Sequence, residues 1–343
     1  MKTNLSKSAL LALGITVVVL CSLEWRLRSR GVDISYDDGP PLWAHKRAMV
    51  YEPADRATVF IGSSRIKYDL DIPTWERTTG CHAVQLAMEG SSPRPVLENL
   101  ADDPLFTGRL IVDVTEGLFF SNAPHHRETP EKNLAYCKDQ TPAQRWSFPL
   151  NRVLESQWVL LDKDNFSLNA CLNALEIPSR PGVFMMPIFP LDFQRVTFER
   201  QMYVTDRFVA DTALQNQVKG IWALFGRMAQ GAPPMPESEL DAIFQSVQTA
   251  TDKIRARGGQ VLFVRTPSSG PLLENEQRVF PRDKYWDRLL AVTQCPGIHF
   301  SDYESLAHFV CPEDSHLSRA DAAVFTQALT QILEQEKSWR FCR

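Results

Sequence analysis

The chain has 343 residues, 44% of them hydrophobic, and a formal net charge of −4. That length can bury a substantial core, in one large domain or two modest ones. The weak negative balance gives no electrostatic case for nucleic-acid binding, and the ordinary apolar content excludes a polytopic membrane protein.

The N-terminus departs from this average. Residues 8–23 carry no charge, and Trp25 and Leu27 prolong the apolar run. Roughly 17 residues is the lower limit for crossing a bilayer. Residues 9–25 are therefore read as the contact with lipid, and residues 1–30 as a membrane anchor. A cleaved signal peptide competes, but a small-x-small cleavage site is hard to find before Arg26, Arg28 and Arg30. The bulk of Leu20 argues against Cys21 as a lipidated cysteine. Lys2 and Lys7 are balanced by the three arginines, so the charge rule does not decide orientation. The six cysteines beyond the anchor, an even number, suit an oxidising compartment. They lack CxxC or Cys/His spacing, so no metal site is expected. If they pair, Cys295 with Cys311 and Cys137 with Cys171 are the expected bridges; free buried thiols are the alternative.

Residues 31–56, rich in Pro, Asp and other charged groups, read as a linker. Residues 57–61 form a short β-branched and aromatic run, the pattern of a fully buried strand. It stops at Gly62-Ser63-Ser64-Arg65. A small hydroxyl residue exposed at a strand tip by a Gly-led turn is well placed as a nucleophile; the plainer reading is a turn that caps the next helix. A second strand is expected over 82–88, followed by Glu89-Gly90-Ser91-Ser92 and a helix over 93–100 with Pro93 at its first position. A third strand over 109–114 completes a strand-helix-strand order that argues for a parallel sheet.

From 115 to 231 the pattern is broken by prolines and reads as a long insertion with short helices. Aromatic residues are frequent here, among them Trp146, Trp158, Phe184 and Phe193; core packing is the expected use of most. Regularity returns at Asp211. Leu214, Val218, Ile221, Trp222, Phe225 and Met228 recur at helical spacing, and Gly231-Ala232-Pro233-Pro234 stops that helix. Ser238 with Asp241 is expected to cap the next one, whose buried face runs from Leu240 to Ile254. Gly258-Gly259 leads to a fourth strand over 260–264 and a loop starting at Arg265. A helix over 282–293 and a strand over 297–300 follow. The chain closes with an amphipathic helix over 319–336, capped by Ser318 and Asp321.

Between the last strand and the last helix lies Cys311-Pro312-Glu313-Asp314-Ser315-His316-Leu317-Ser318. A His a few residues after a carboxylate suits a general base, since the acid orients the imidazole while the other ring nitrogen takes a hydroxyl proton. In an open parallel sheet the loops at the carboxyl strand ends converge on one rim, where Ser64 and His316 are expected to meet. Alone, His316 would be read as a surface histidine at a helix start.

Three blocks in this order resemble the SGNH (GDSL-like) hydrolases and their acyltransferase relatives. Gly62-Ser63-Ser64-Arg65 matches the first block, with Ser64 in the nucleophile's place and Ser63 where Asp or Asn is commoner. Gly90 matches the oxyanion glycine of the second. Glu313-Asp314-Ser315-His316-Leu317 matches the final block. The third block's asparagine would fall near Val114-Thr115-Glu116-Gly117, which has none, so the amides of Ser64 and Gly90 would carry more of the oxyanion. The D-x-H spacing resembles the alginate-acetylation branch and favours Asp314 as the acid, with Glu313 as the alternate.

The resemblance implies an α/β fold: a flavodoxin-like three-layer sandwich over 57–336 with a central parallel sheet, 115–231 inserted and 337–343 as a tail. It implies acyl transfer through an acyl-Ser64 intermediate, His316 serving as base and then acid, with no cofactor. The anchor tilts the reading towards O-acyl transfer to a cell-surface glycan beside a membrane-bound O-acyltransferase, outside the cytoplasm at a bacterial inner membrane. An esterase releasing the acyl group to water, or an inactive glycan-binding scaffold, are the alternatives. Arg65 and Arg265 are expected to contact an anionic substrate or, more commonly for arginines so placed, to serve as structural ion-pair partners.

Overall fold

The computed structural model describes residues 2–175, 187–229 and 235–341. Its centre is a five-stranded parallel sheet. The strands are β1 (Ala57–Ile61), β2 (His82–Gln85), β3 (Arg109–Asp113), β6 (Gln260–Arg265) and β7 (Gly297–His299), in spatial order β2-β1-β3-β6-β7. With only the sheet strands counted, the order is 2-1-3-4-5, as in flavodoxin-like folds. β4 (Gln194–Val196) and β5 (Met202–Val204) form a separate antiparallel hairpin.

The central strands are buried on both faces, which is why they read as continuous apolar runs. Their period of two sends alternate residues into two cores. Val59, Leu110, Val112 and Phe263 pack with the helices Arg94–Asp102 and Glu237–Ala256. Phe60, Ile111, Leu262 and Ile298 pack with the helices Ile72–Thr79 and Arg319–Gln335 on the other side. Sheet between two helical layers is the three-layer arrangement. The register pairs Ile61 with Val112 and Asp113 with Val264. The carboxyl ends of β1, β3 and β6 therefore share one rim.

The N-terminal helix Lys2–Ser29 is exposed along most of its length and meets the body near its C-terminal end, where Glu24 is buried. Its segment Leu5–Ser29 contains an 18-residue stretch of mean hydropathy 2.0 and is long and apolar enough to cross a membrane.

Several local expectations are corrected. Residues 31–56 are not a loose linker: the helix Pro40–Arg47 buries Leu42 and Trp43, and the Trp43 indole donates to the Leu86 carbonyl at 3.0 Å. The helix Glu237–Ala256 starts one residue before Ser238, with Pro236 as its N-cap, and Asp241 pairs with Arg288. Residues 270–279 form a helix that the Pro and Ser content concealed. Cys137, Cys171, Cys295 and Cys311 are free thiols, so neither expected bridge forms, while Cys81 is disulfide-bonded. The expected helix stop at Gly231, together with Phe184 and Cys342, lies outside the described residues. The last helix agrees with its pattern: Ser318 Oγ accepts from the Asp321 amide at 3.1 Å, and its apolar stripe is buried.

Candidate active site

β1 ends in a turn whose shape depends on Gly62. A Cβ there would lie 2.5 Å from Asp113 Cβ and 2.6 Å from Ile66 Cγ2. Only glycine lets the tip of β1 pass this close to the tip of β3. Ser63 is the extended N-cap of the helix Ser64–Asp69, and Ser64 is that helix's first residue. Its amide consequently has no intrahelical acceptor. Within residues 61–70 Ser64 alone is not buried.

The loop before the last helix brings His316 to this point. Ser64 Oγ lies 2.9 Å from His316 Nε2. His316 Nδ1 lies 2.8 Å from Glu313 Oε1, which also accepts the His316 amide at 2.7 Å. Glu313 Oε2 accepts the Trp222 indole N–H at 2.5 Å and the Ser315 amide at 3.2 Å. Glu313 and His316 are buried, at 0% and 2% exposure. Glu313 therefore backs the imidazole, and the preference for Asp314 is overturned. Asp314 has φ +74°, so the chain turns there and its side chain does not follow Glu313 to the imidazole. It pairs with Lys219 at 2.9 Å. Asp is among the few side chains that tolerate such a backbone.

Neighbouring groups hold the relay in place. Asp69, at the end of the Ser64 helix, accepts the Leu317 amide at 3.0 Å, which ties that helix to the histidine loop. Burial pushes the Asp69 carboxyl well above its usual range, although the Leu317 amide works against it. Ser269, after β6, accepts the Cys311 amide at 2.8 Å and donates its own amide to Asp314 O at 2.8 Å. Tyr68 stacks on the His316 ring, with centroids 4.1 Å apart at 25°. Burial, and then the charges of Glu89 and Glu313, push its phenol well above the usual value.

Gly90 lies beyond β2 on the same rim as Ser64. The ladder to β1 continues past β2, through the Leu86 amide to Phe60 O at 2.8 Å and the Met88 amide to Gly62 O at 3.1 Å. Gly90 follows two residues later with φ +58°, and a Cβ on it would meet nothing within 4 Å. Glu89 beside it pairs with Lys67 on the Ser64 helix. Where the sequence lacks an asparagine, Thr115 Oγ1 is 2.6 Å from Ser63 Oγ and donates to Asp113 Oδ2 at 3.1 Å. Burial raises the Asp113 carboxyl above its usual value, with Arg65 and the Ser63 amide pulling against it.

Arg65 and Arg265 do not reach the rim. Both are buried, at 2% and 3% exposure, and both pair with the buried Glu276. Arg265 also holds Glu116 at 3.1 Å. They are the structural ion-pair partners that the plainer reading named, because their charges are consumed by carboxylates beneath the site.

The sequence reading does not single out Tyr68, and it places Trp222 only on the apolar face of a helix. Tyr68 stands four residues after Ser64, one helical turn on, so its place beside the site was legible once Ser64 opened a helix. Trp222 comes from a helix remote in sequence, and no local spacing announces its bond to Glu313. Asp38, held by Arg200 at 2.5 and 2.8 Å and by Lys67, was likewise hidden in the presumed linker.

Chemically, a hydroxyl, an imidazole and a carboxylate in line can move a proton off the hydroxyl, with the carboxylate stabilising the imidazolium. Among the described residues no group of three or more His, Cys, Asp or Glu side chains is arranged to hold a metal ion. No protein-family model matches the sequence, and comparison with curated proteins finds no match.

Proposed function

We propose that this protein is an SGNH-type serine acyl-transfer enzyme, anchored by its N-terminal helix with its body outside the cytoplasm, that moves an acyl group onto a hydroxyl of a cell-surface polysaccharide. The observation that carries the reading is the unbroken chain from Ser64 Oγ through His316 to Glu313, at 2.9 and 2.8 Å. Ser64 Oγ attacks the acyl carbonyl as His316 Nε2 takes its proton. The amides of Ser64 and Gly90 receive the oxyanion. The leaving group departs with the proton from His316, and acyl-Ser64 remains. His316 then deprotonates the acceptor hydroxyl, which attacks the acyl carbon and frees Ser64.

The disulfide at Cys81 and the apolar helix Leu5–Ser29 support an oxidising location behind a membrane anchor. The segment between β3 and β6 is read as an insertion on the SGNH body, since it supplies Trp222 and the hairpin β4–β5 to the site's surroundings. A membrane-bound O-acyltransferase is the proposed source of acyl groups, on the strength of the family resemblance.

The test is labelling of the full chain by a fluorophosphonate ester. Labelling of the wild type that disappears in Ser64→Ala supports the reading. A wild type that resists the reagent while a related esterase reacts overturns it. In cells, loss of glycan acylation in Ser64→Ala, with no change in free acid release, separates transfer from hydrolysis.

A further inference from the structure

Two helices near the base of the anchor turn their apolar faces away from the body. On the helix Pro142–Glu155, Trp146, Leu150, Val153 and Leu154 are exposed, Trp146 and Leu150 at 79% and 69%. Their spacing of i, i+4, i+7 and i+8 makes one continuous stripe. The opposite side rests on the body: Phe148 lies 5.1 Å from the His45 ring, and the Arg152 guanidinium sits 4.5 Å over Phe198. A surface helix of a water-soluble body buries its apolar stripe; this one presents it. The short helix Leu168–Asn173 also exposes leucines one turn apart, Leu168 and Leu172, and Leu175 just beyond its end is exposed as well.

Their position relative to the anchor identifies the occupant. Between the two helices lies the 3-10 turn Val159–Leu161, and its Val159 and Leu160 amides donate to Glu24 of the anchor helix at 3.0 Å each. Arg28 of the same helix donates to Gln157 O at 2.7 Å. The uncharged run 8–23 spans only about 24 Å at about 1.5 Å per residue, less than the roughly 30 Å hydrocarbon layer. Glu24 must then sit at the edge of that layer, where protein amides and Arg28 satisfy it. A turn bonded to Glu24 lies at the same depth, and it follows directly on the C-terminal end of Pro142–Glu155 and precedes Leu168–Asn173 by a few residues. Pro142–Glu155 combines an apolar stripe containing Trp with Arg145 and Arg152, the composition of a helix lying in the plane of a membrane surface.

From this geometry we infer that Pro142–Glu155 and Leu168–Asn173 form an amphipathic foot, embedded in the headgroup layer of the bilayer that the N-terminal helix crosses. The inference rests on that helix being membrane-spanning. The foot also reaches the candidate site: Lys163, between the two helices, pairs with Asp37, and the adjacent Asp38 pairs with Lys67 on the Ser64 helix. A foot fixed in the interface therefore holds Ser64 at a set height above the lipid.

Spin-label depth measurement on the full chain in phospholipid vesicles tests this. Cys21, Cys137 and Cys171 are replaced by serine, and single labelled cysteines are placed at Leu150, Val153 and Leu168. A label at Val18 reports on the anchor; labels at Asn151 and Val324 serve as exposed comparisons. The foot requires the first three labels to collide with oxygen in preference to a water-soluble nickel chelate by at least about threefold over Asn151 and Val324. Free nickel access at these positions, with Val18 in lipid, overturns the foot alone. Protection from both reagents overturns it in favour of a protein contact, such as a second copy of the chain. Nickel access at Val18 overturns the anchor reading and the foot with it.

Discussion

Oε1 of Glu313 accepts two hydrogen bonds from one residue, His316: from its backbone amide at 2.7 Å and its ring Nδ1 at 2.8 Å. The amide bond fixes where the carboxylate stands, and the ring bond fixes which tautomer faces Ser64. With Nδ1–H donated to the carboxylate, Nε2 is left as the acceptor for the Ser64 hydroxyl.

The two neighbouring acids consequently separate in their effects. Glu313→Gln keeps the size but loses the charge that stabilises an imidazolium, and its amide can present N–H to the ring. Fluorophosphonate labelling of Ser64 is expected to slow by about 10² to 10⁴-fold. Asp314→Asn leaves the relay intact and loses only the part-exposed pair with Lys219, so its labelling rate is expected within about threefold of wild type. The reverse ranking in stopped-flow labelling would show that Asp314 is the working acid.

The two glycines of the rim also differ, for different physical reasons. At Gly62 the obstacle is space, with Asp113 and Ile66 inside 3 Å of an added Cβ. Gly62→Ala is expected to destabilise by about 1–3 kcal/mol through overpacking, and to shift the Ser64 turn enough to impair labelling. At Gly90 there is open space but φ is +58°, so Gly90→Ala meets only backbone strain of about 1–2 kcal/mol. Urea unfolding separates stability from rate. The assignment fails if Gly62→Ala unfolds at the wild-type midpoint with labelling unchanged.

Much of the scaffold was legible because its signals are local. The strand runs ending at Gly62, Asp113 and Arg265 alternate between two buried faces, and the Ser318 cap announced the last helix. His316 and Ser64 could be brought together from topology alone, since parallel strands deliver their loops to one rim. What escaped depended on contacts distant in sequence or on backbone angles. Whether Glu313 or Asp314 faced the ring turned on a positive φ at Asp314. The packed state of residues 31–56 depended on Trp43 finding Leu86 and on Asp38 finding Arg200, neither of which has a periodic signature. Arg65 and Arg265 were placed at the correct strand ends, but their direction was set by Glu276, on a helix hidden behind Gly270 and Pro271.

Tyr68 provides a test of how the imidazole is held. Its ring covers His316 at 4.1 Å, while its hydroxyl donates to Gln194. Tyr68→Phe keeps the stack, and labelling is expected within about twofold of wild type. Tyr68→Leu removes an aromatic contact of about 0.5–1.5 kcal/mol, and a threefold to tenfold slower rate follows if that contact stabilises the charged ring in the transition state. A role confined to stability would instead leave the labelling rate of folded Tyr68→Leu unchanged while lowering its unfolding midpoint. The Phe and Leu variants, compared at equal folded fraction, decide between these outcomes.

Beneath the rim, Glu276 joins Arg65 and Arg265, and its protonation should be readable in acid. Burial alone would raise its carboxyl, but the two arginines and Ser268 outweigh burial and bring it to about 2, against an ordinary 4.5. A depressed carboxyl contributes stability that is present above its unfolded value and lost as pH falls through its folded one. The window therefore runs from about pH 4.5 down to about 2, and the difference corresponds to roughly 3 kcal/mol. Asp69 and Asp113 act in the opposite sense: burial raises both, so acid relieves their cost over part of the same range. Subtraction isolates Glu276. At neutral pH, Glu276→Gln leaves two buried guanidiniums without their shared carboxylate, and a loss of about 3–5 kcal/mol is expected. The gap between wild type and Glu276→Gln in denaturant unfolding should then narrow steadily as pH is lowered from 4.5. A gap that stays constant through that window would mean that Glu276 is not held ionised by Arg65 and Arg265.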